Sequence, residues 1–401
     1  MTVALKAKDR RNHPLLAEGL MLFFPAAALY AMLSPLMWVT LFGFALPFAR
    51  AIPSTQWHAH EMIFGTYGAA LAGFLTSAVA EWTDTPPRKG RTLIVLLLLW
   101  LPGRIVGLLG IEPLVGLAGL TDVAFLSMLF WFVLAPLLER RSTRHASFAV
   151  WACLFVLLEA GIRIAWLVEE FDLAGRLLQT SLYVFLVFFA LAVARINIVV
   201  INLALDPSGN TTPYRPHPGR QNLAASMVAI FAATALVFPN SQVASYLALA
   251  AAAAFFDRLA EWFIGAAVLR TQVLALAGAN AFAGGGFLLI GLSGLGAPIA
   301  IGSGVHMLAV GSLGLAVTAV FVIAGLRHTG RPLILPRAAH AAIALMACAG
   351  LVRVLPELGI GETLIGMHYA VAALLWSSAF GVWFIGFIPL FLKPLRHEGC
   401  Q

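Results

Sequence analysis

The sequence predicts an all-α, polytopic membrane protein of about twelve transmembrane helices, with both termini in the cytoplasm. Composition, the length of the apolar runs and the alternation of charge between them predict it. Of 401 residues, 61% are hydrophobic and 11% charged, and the mean hydropathy is +0.92. Soluble domains carry about 25% charged residues, so water cannot be the solvent for most of this surface. A bilayer core needs about 20 apolar residues per helix.

The elements follow in chain order. The first run, 18–44, is too long for the apolar core of a removable signal and reads as a retained anchor. The second, 59–81, opens on Trp57-His58-Ala59-His60-Glu61-Met62-Ile63. The third, 92–110, carries Arg104, the fourth, 114–138, Asp122, and the fifth, 146–168, Glu159 and Arg163. The sixth, 178–204, contains Arg195. After a polar connection, Asp206 to Gln221, come 222–239 and 243–269, the latter with Asp257, Arg258 and Glu261. Run 272–293 is uncharged, 298–326 carries His306, 338–355 carries His340 and Arg353, and 362–392 carries His368. No polar stretch is long enough for a soluble domain, so residues 1–401 read as one membrane domain.

Charge sets the orientation, because Lys and Arg are retained on the cytoplasmic side of short loops. The N-terminal tail has Lys6, Lys8, Arg10 and Arg11, and every second connection is basic, from Arg88, Lys89 and Arg91 to Lys393 and Arg396. The intervening loops hold only Arg50 and Arg176 among basic residues, beside Glu112, Glu169, Glu170, Asp172, Glu357 and Glu362. The net charge of +7 is therefore a topology signal. A nucleic-acid partner is excluded for want of a soluble basic surface; the lipid bilayer is the partner expected, in a multi-pass arrangement.

The remaining basic residues, Arg104, Arg163, Arg195, Arg258 and Arg353, lie inside spans and need partners. Counted from the alternating topology, Arg104, Arg163 and Arg353 fall in the outer half of the membrane, near Asp122 and Glu159 in depth. Since the three outnumber those two acids, they are candidates to hold an anionic group. Arg258 and Glu261 are spaced i,i+3 and can pair within one helix. His340 reads as a hydrogen-bonded packing residue. Four further histidines share the outer depth: His58 and His60 at the start of the second span, His306 about eight residues into the tenth and His368 about six into the twelfth. His306 stands in Gly302-Ser303-Gly304-Val305-His306, small residues that allow close approach of a helix or a flat ligand.

His58 and His60 admit two geometries. Residues two apart on a helix point about 200° apart, so one metal takes both only if the helix entry is unwound, as Pro53 and Ser54 allow. In a regular helix His58, Glu61 and Met62 share one face and His60, Phe64 and Tyr67 another. Two roles then follow, one imidazole a ligand and the other bonded to a carboxylate, with Glu61 able to orient an imidazole. The three cysteines, Cys153, Cys348 and Cys400, form neither a CxxC pair nor a haem-attachment motif. Nucleophile-base spacings, phosphate loops and dinucleotide fingerprints are likewise missing, so the sequence carries no catalytic motif.

The run Trp57 to Gly65, with Ala72-Gly73-Phe74-Leu75-Thr76, Glu81-Trp82-Thr83, Pro86-Pro87 and Trp100-Leu101-Pro102-Gly103-Arg104, resembles the NnrS family of membrane proteins. Arg258-Leu259-Ala260-Glu261-Trp262, His306 to Gly311 and His328-Thr329-Gly330-Arg331-Pro332 follow in that family's order. The resemblance covers nearly the whole chain. It implies a twelve-span protein of the bacterial inner membrane that binds haem and copper and is linked to denitrification and the nitric oxide response, with nitric oxide or a nitrosyl species as partner. It makes His58, His60, His306 and His368 metal-ligand candidates. Arg104, with Arg163 and Arg353 at the same depth, becomes a candidate for haem propionates, and Glu61 a residue of the cofactor site. Two stretches depart from the family: Ala194-Arg195-Ile196-Asn197-Ile198 keeps an arginine but lacks the usual proline, and Ala277 to Asn280 lacks a histidine often found there. The alternative reading is a twelve-helix secondary transporter without a redox metal.

Overall fold

The computed structural model describes residues 13–44, 52–141, 143, 145–239 and 241–393. Among them there are twelve helices long and apolar enough to cross a membrane, and no strand. We number them α1 (Gly19–Phe44), α2 (Ser54–Thr83), α3 (Arg91–Leu109), α4 (Glu112–Glu139), α5 (Ala146–Leu167) and α6 (Phe171–Leu205). The second half comprises α7 (Gly219–Val237), α8 (Gln242–Trp262), α9 (Thr271–Gly294), α10 (Ile301–His328), α11 (Arg337–Leu358) and α12 (His368–Leu392). The tail basic residues before His13 and Arg50, Arg144 and Arg396 lie outside the described residues.

Short connections force consecutive helices to run antiparallel, which gives the bundle two chemically distinct ends. One carries Glu112, Glu169, Glu170, Asp172 and Glu362, and the other Arg88, Lys89, Arg140, Arg215, Arg270 and Arg331. We call them the acidic and basic ends. Most consecutive helices pack on one another, α2 also meets α4, and α12 returns to pack on α1, so the ring closes. Two hydrogen bonds fasten that closure: Trp376 Nε1 donates to the Ala31 carbonyl (3.0 Å) and Ser377 Oγ to that of Met32 (2.9 Å). At the other side of the ring Gly350 brings α11 onto Gly311 of α10 so closely that an added Cβ would stand 2.7 Å from the Gly311 Cα.

Helices α2 and α10 form the interior, with 89% and 72% of their membrane windows buried against 28–67% for the rest. They also share a local distortion. Each widens from α-helix to π-helix just after a histidine: His60 precedes the π segment Glu61–Tyr67, and His306 precedes Met307–Gly314. Such segments are rare and recur at functional sites. Here their carbonyls take side-chain donors from neighbours: Gly65 accepts from Trp100 Nε1 (3.0 Å), and Ala309 accepts from the Tyr67 hydroxyl.

The boundaries refine the sequence reading where capping or a turn intervenes. Helix α2 begins at Ser54, one residue after Pro53, so it is regular at His58. Helix α8 stops at Trp262, its last turn tightening into a 3₁₀ turn from Leu259, rather than continuing to 269. Helix α12 begins at His368, because Gly359, Gly361 and Gly366 hold positive φ and keep 359–367 in turns. His368 therefore stands at the helix mouth and not six residues inside it.

Candidate functional site

The histidines of the acidic half divide into two adjoining groups. The first is a buried ion network on α1 to α5. His60 Nδ1 lies 2.9 Å from Glu61 Oε1, and its Nε2 lies 2.9 and 3.0 Å from the two oxygens of Glu159. Arg104 approaches Glu61 at 2.7 Å and Asp122 at 2.8 Å. Arg163 reaches Asp122 at 2.5 Å and Glu159 at 2.6 Å. The Tyr30 hydroxyl donates to Glu61. His60, Glu61, Arg104, Asp122 and Glu159 are all at most 3% exposed.

Charge balance fixes the protonation of this group. A neutral imidazole has one N–H, yet both ring nitrogens of His60 face a carboxylate oxygen at 2.9 Å, so the ring carries a second proton. Two guanidinium groups and that proton then balance three carboxyl groups, as burial requires. Imidazole and carboxylate atoms of His60, Asp122 and Glu159 come within 4.8 Å of one another, a spacing that suits a metal ion. Arg163 Nη2, however, stands 2.5 Å from Asp122 and 3.0 Å from His60 Nε2, so a guanidinium already fills that centre.

The second group joins α2, α10, α11 and α12. The His58 ring stacks on Trp38, centroids 4.7 Å apart and planes at 17°, and makes no hydrogen bond among the described residues. His306 and Arg353 lie within its electrostatic reach. His306 Nδ1 is 2.8 Å from the Gly302 carbonyl, which assigns the ring proton to Nδ1 and leaves the Nε2 lone pair free. Arg353, Glu357 and His368 surround it electrostatically. Glu357 organises the rim: it accepts from Ser303 Oγ (2.6 Å), Arg353 Nη1 (2.7 Å) and the Tyr369 hydroxyl (3.3 Å), with His368 Nε2 at 3.3 Å. His368 Nδ1 accepts from the Gly366 amide (3.1 Å), so both its nitrogens are engaged.

These contacts correct several expectations. Glu61, expected on the face of His58, bonds His60 instead, because the widened turn starts at Glu61 itself. The excess of arginines over acids disappears: Glu61 serves Arg104 and Glu357 serves Arg353, so Arg104, Arg163 and Arg353 each have a carboxylate from this chain and no propionate is needed to balance them. The remaining buried arginines are also accommodated. Arg195 lies over the rings of Trp82 and Phe148 at 4.4 and 4.7 Å. Arg258 donates to the Ala190 carbonyl at 3.0 Å and approaches Glu261 at 3.7 Å, the pairing expected from its spacing, with Asn197 donating to Glu261 at 3.2 Å. His340, expected as a buried packing residue, is exposed and bonds Thr271 at 2.8 Å.

Beside His60, Glu61 and Arg163 is a cavity of about 30 Å³, and in the bundle centre an apolar one of about 60 Å³. Pockets for organic ligands run to about 300–1,000 Å³, so neither of these holds a porphyrin. At the second group His306 keeps its Nε2 directed away from the Gly302 bond, and His58 stacks on Trp38.

Fold and site together define a polytopic helical membrane protein with a histidine layer buried near its acidic end. The chain belongs to the NnrS protein family, whose model matches residues 14–394. No curated protein and no solved structure matches it.

Proposed function

We propose that this protein is a copper-binding protein of the bacterial inner membrane that acts in nitric oxide metabolism, with the metal held by His306 and His58. The observation that carries the reading is the fixed tautomer of His306: its Nδ1 is anchored on Gly302, and His58, which makes no hydrogen bond among the described residues, lies within its electrostatic reach. Neutral imidazoles suit copper, and a ligand held by a bond at its other nitrogen is what metal sites require. A bound copper ion would supply an open coordination position for a diatomic ligand. Around it the chain's own residues set the environment: Glu357 balances Arg353 and orients His368, while Trp38 covers one face of His58. His60 serves in the ion network behind the site. The positive-inside rule puts the acidic end, and hence the site, on the outer side.

The test is metal analysis and absorption spectroscopy of the purified protein. Copper lost in both His306→Ala and His58→Ala, and retained in His340→Ala, supports the reading. A Soret band lost in the same two variants would replace copper by haem. If the wild type shows neither, the transporter reading takes its place. For that reading the interrupted end of α8, with Arg258, Asn197 and Glu261 buried beside it, offers polar groups at membrane depth.

A further inference from the structure

Helices α1, α2, α6 and α10 line a partly open cavity of about 60 Å³, walled by Phe24, Ala70, Phe74, Phe188, Ala192 and Ala316 among other apolar residues. Among the described residues no polar side chain lines it. A buried water needs two to four polar partners, whereas dry apolar cavities take up apolar guests such as xenon. Well-packed interiors leave few voids larger than a water molecule, yet here three alanines face the space and the two most buried helices flank it. Phe74, Ala192, Val317 and Val320 at its wall are only half-buried, so the rim reaches the lipid-facing surface. A visitor would come from hydrocarbon and not from water. The volume is several times the roughly 10–15 Å³ that admits one water, which suits a visitor of a few heavy atoms.

The cavity is also placed relative to the histidine layer. Leu313, in its wall, lies seven residues along α10 from His306, about 10 Å at 1.5 Å per residue. Between the two stands Tyr67, bonded to Ala309 and packed on Phe185, itself a wall residue, and on Trp376. We infer that this cavity is a lipid-fed binding site for an uncharged, poorly hydrated molecule of a few heavy atoms, a class that includes dissolved gases, held one step from the histidine layer. Occupancy follows from the cavity alone; only the claim that it supplies the His306 site rests on the copper reading.

Xenon is the probe. Metal-free full-length protein in lipid nanodiscs is titrated with xenon and followed by ¹²⁹Xe NMR. The wild type should give a saturable shift above that of empty nanodiscs. Ala70→Leu and Ala192→Leu, which fill the cavity from two helices, should each lose it, and His306→Ala should keep it. Two variants guard against one that fails to fold, with thermal melting of each as control. A wild type without a saturable shift, a shift retained in both filled variants, or an acyl chain found in the cavity would overturn the site. Xenon binding in a protein that never takes up copper would leave the cavity standing and remove the function proposed for the histidines.

Discussion

Tyr67 of α2 donates its hydroxyl hydrogen bond to the main-chain carbonyl of Ala309 in α10, joining the two π-helical segments directly. His58 lies nine residues before Tyr67, and His306 three before Ala309. The bond therefore holds the register between the helices that carry His58 and His306.

Tyr67→Phe tests that relationship. Hydrogen bonds inside membrane proteins contribute on average about 0.6 kcal/mol, so thermal stability in detergent should fall only slightly. Copper affinity should fall more than stability does, because His58 and His306 lose their fixed offset. Unchanged metal binding would reduce the bond to a packing contact.

The ion network should respond far more strongly. Glu159 is fully buried and faces both His60 and Arg163. Its removal leaves cationic groups uncompensated, and breaking a buried pair costs about 3–5 kcal/mol. Glu159→Ala should thus lower the melting temperature severely, with Glu159→Gln between it and wild type. A melting curve close to wild type for Glu159→Ala would refute the charge balance.

Gly350 is needed for its size. An alanine there would press on the Gly311 backbone, which has no side chain to turn aside. Overpacking of this kind costs about 1–3 kcal/mol, and α11 would shift on the π segment of α10. We expect Gly350→Ala to lower both stability and copper content; Gly302→Ala, where nothing stands within 4 Å of the added methyl, should leave stability intact.

The orientation follows from the loops. Reporter fusions at Asp84, Glu139 and Leu333 should read cytoplasmic, and those at Pro53, Asp172 and Gly359 external. Reversal at two or more sites would turn the histidine layer to the cytoplasm.

Asp206, in the connection between α6 and α7, accepts from the hydroxyls and amides of Ser208 and Thr211. These bonds, the Ser208 hydroxyl foremost, hold its carboxyl at about 2, below the usual 3.9 or so. A depressed value stabilises the turn in full above the unfolded value and loses it as pH falls through about 2. The turn should therefore stay ordered down to about pH 3, and a carboxyl titration by NMR near 4 would contradict it.

Much of this was readable from the chain. Span number followed from apolar length, and the common depth of His60, Arg104, Asp122, Glu159 and Arg163 followed from counting along alternating helices. Lateral neighbours did not, because hydropathy is averaged around each helix. Depth alone therefore does not decide which imidazole Glu61 serves, nor that Glu357 serves Arg353. The π segments were equally invisible: Glu61–Tyr67 and Met307–Gly314 have no proline and no composition that distinguishes a widened turn from an ordinary one. Within Ala194–Ile198 and Ala277–Asn280, Asn197 donates to Glu261 and Asn280 to the Leu276 carbonyl.

The closure of α12 on α1 bears on biosynthesis. Helix α2 enters the bilayer second, yet Glu61 meets Arg104 only when α3 arrives and His60 meets Glu159 only with α5, and its inward face is covered only when α10 arrives. Until α12 docks through Trp376 and Ser377, the carbonyls of Ala31 and Met32 lack those side-chain donors. A ribosome stalled after α11 would therefore expose an open-sided intermediate to membrane quality control, and loss of the last helix should be read by the cell as a degradation signal before it is read as a loss of function.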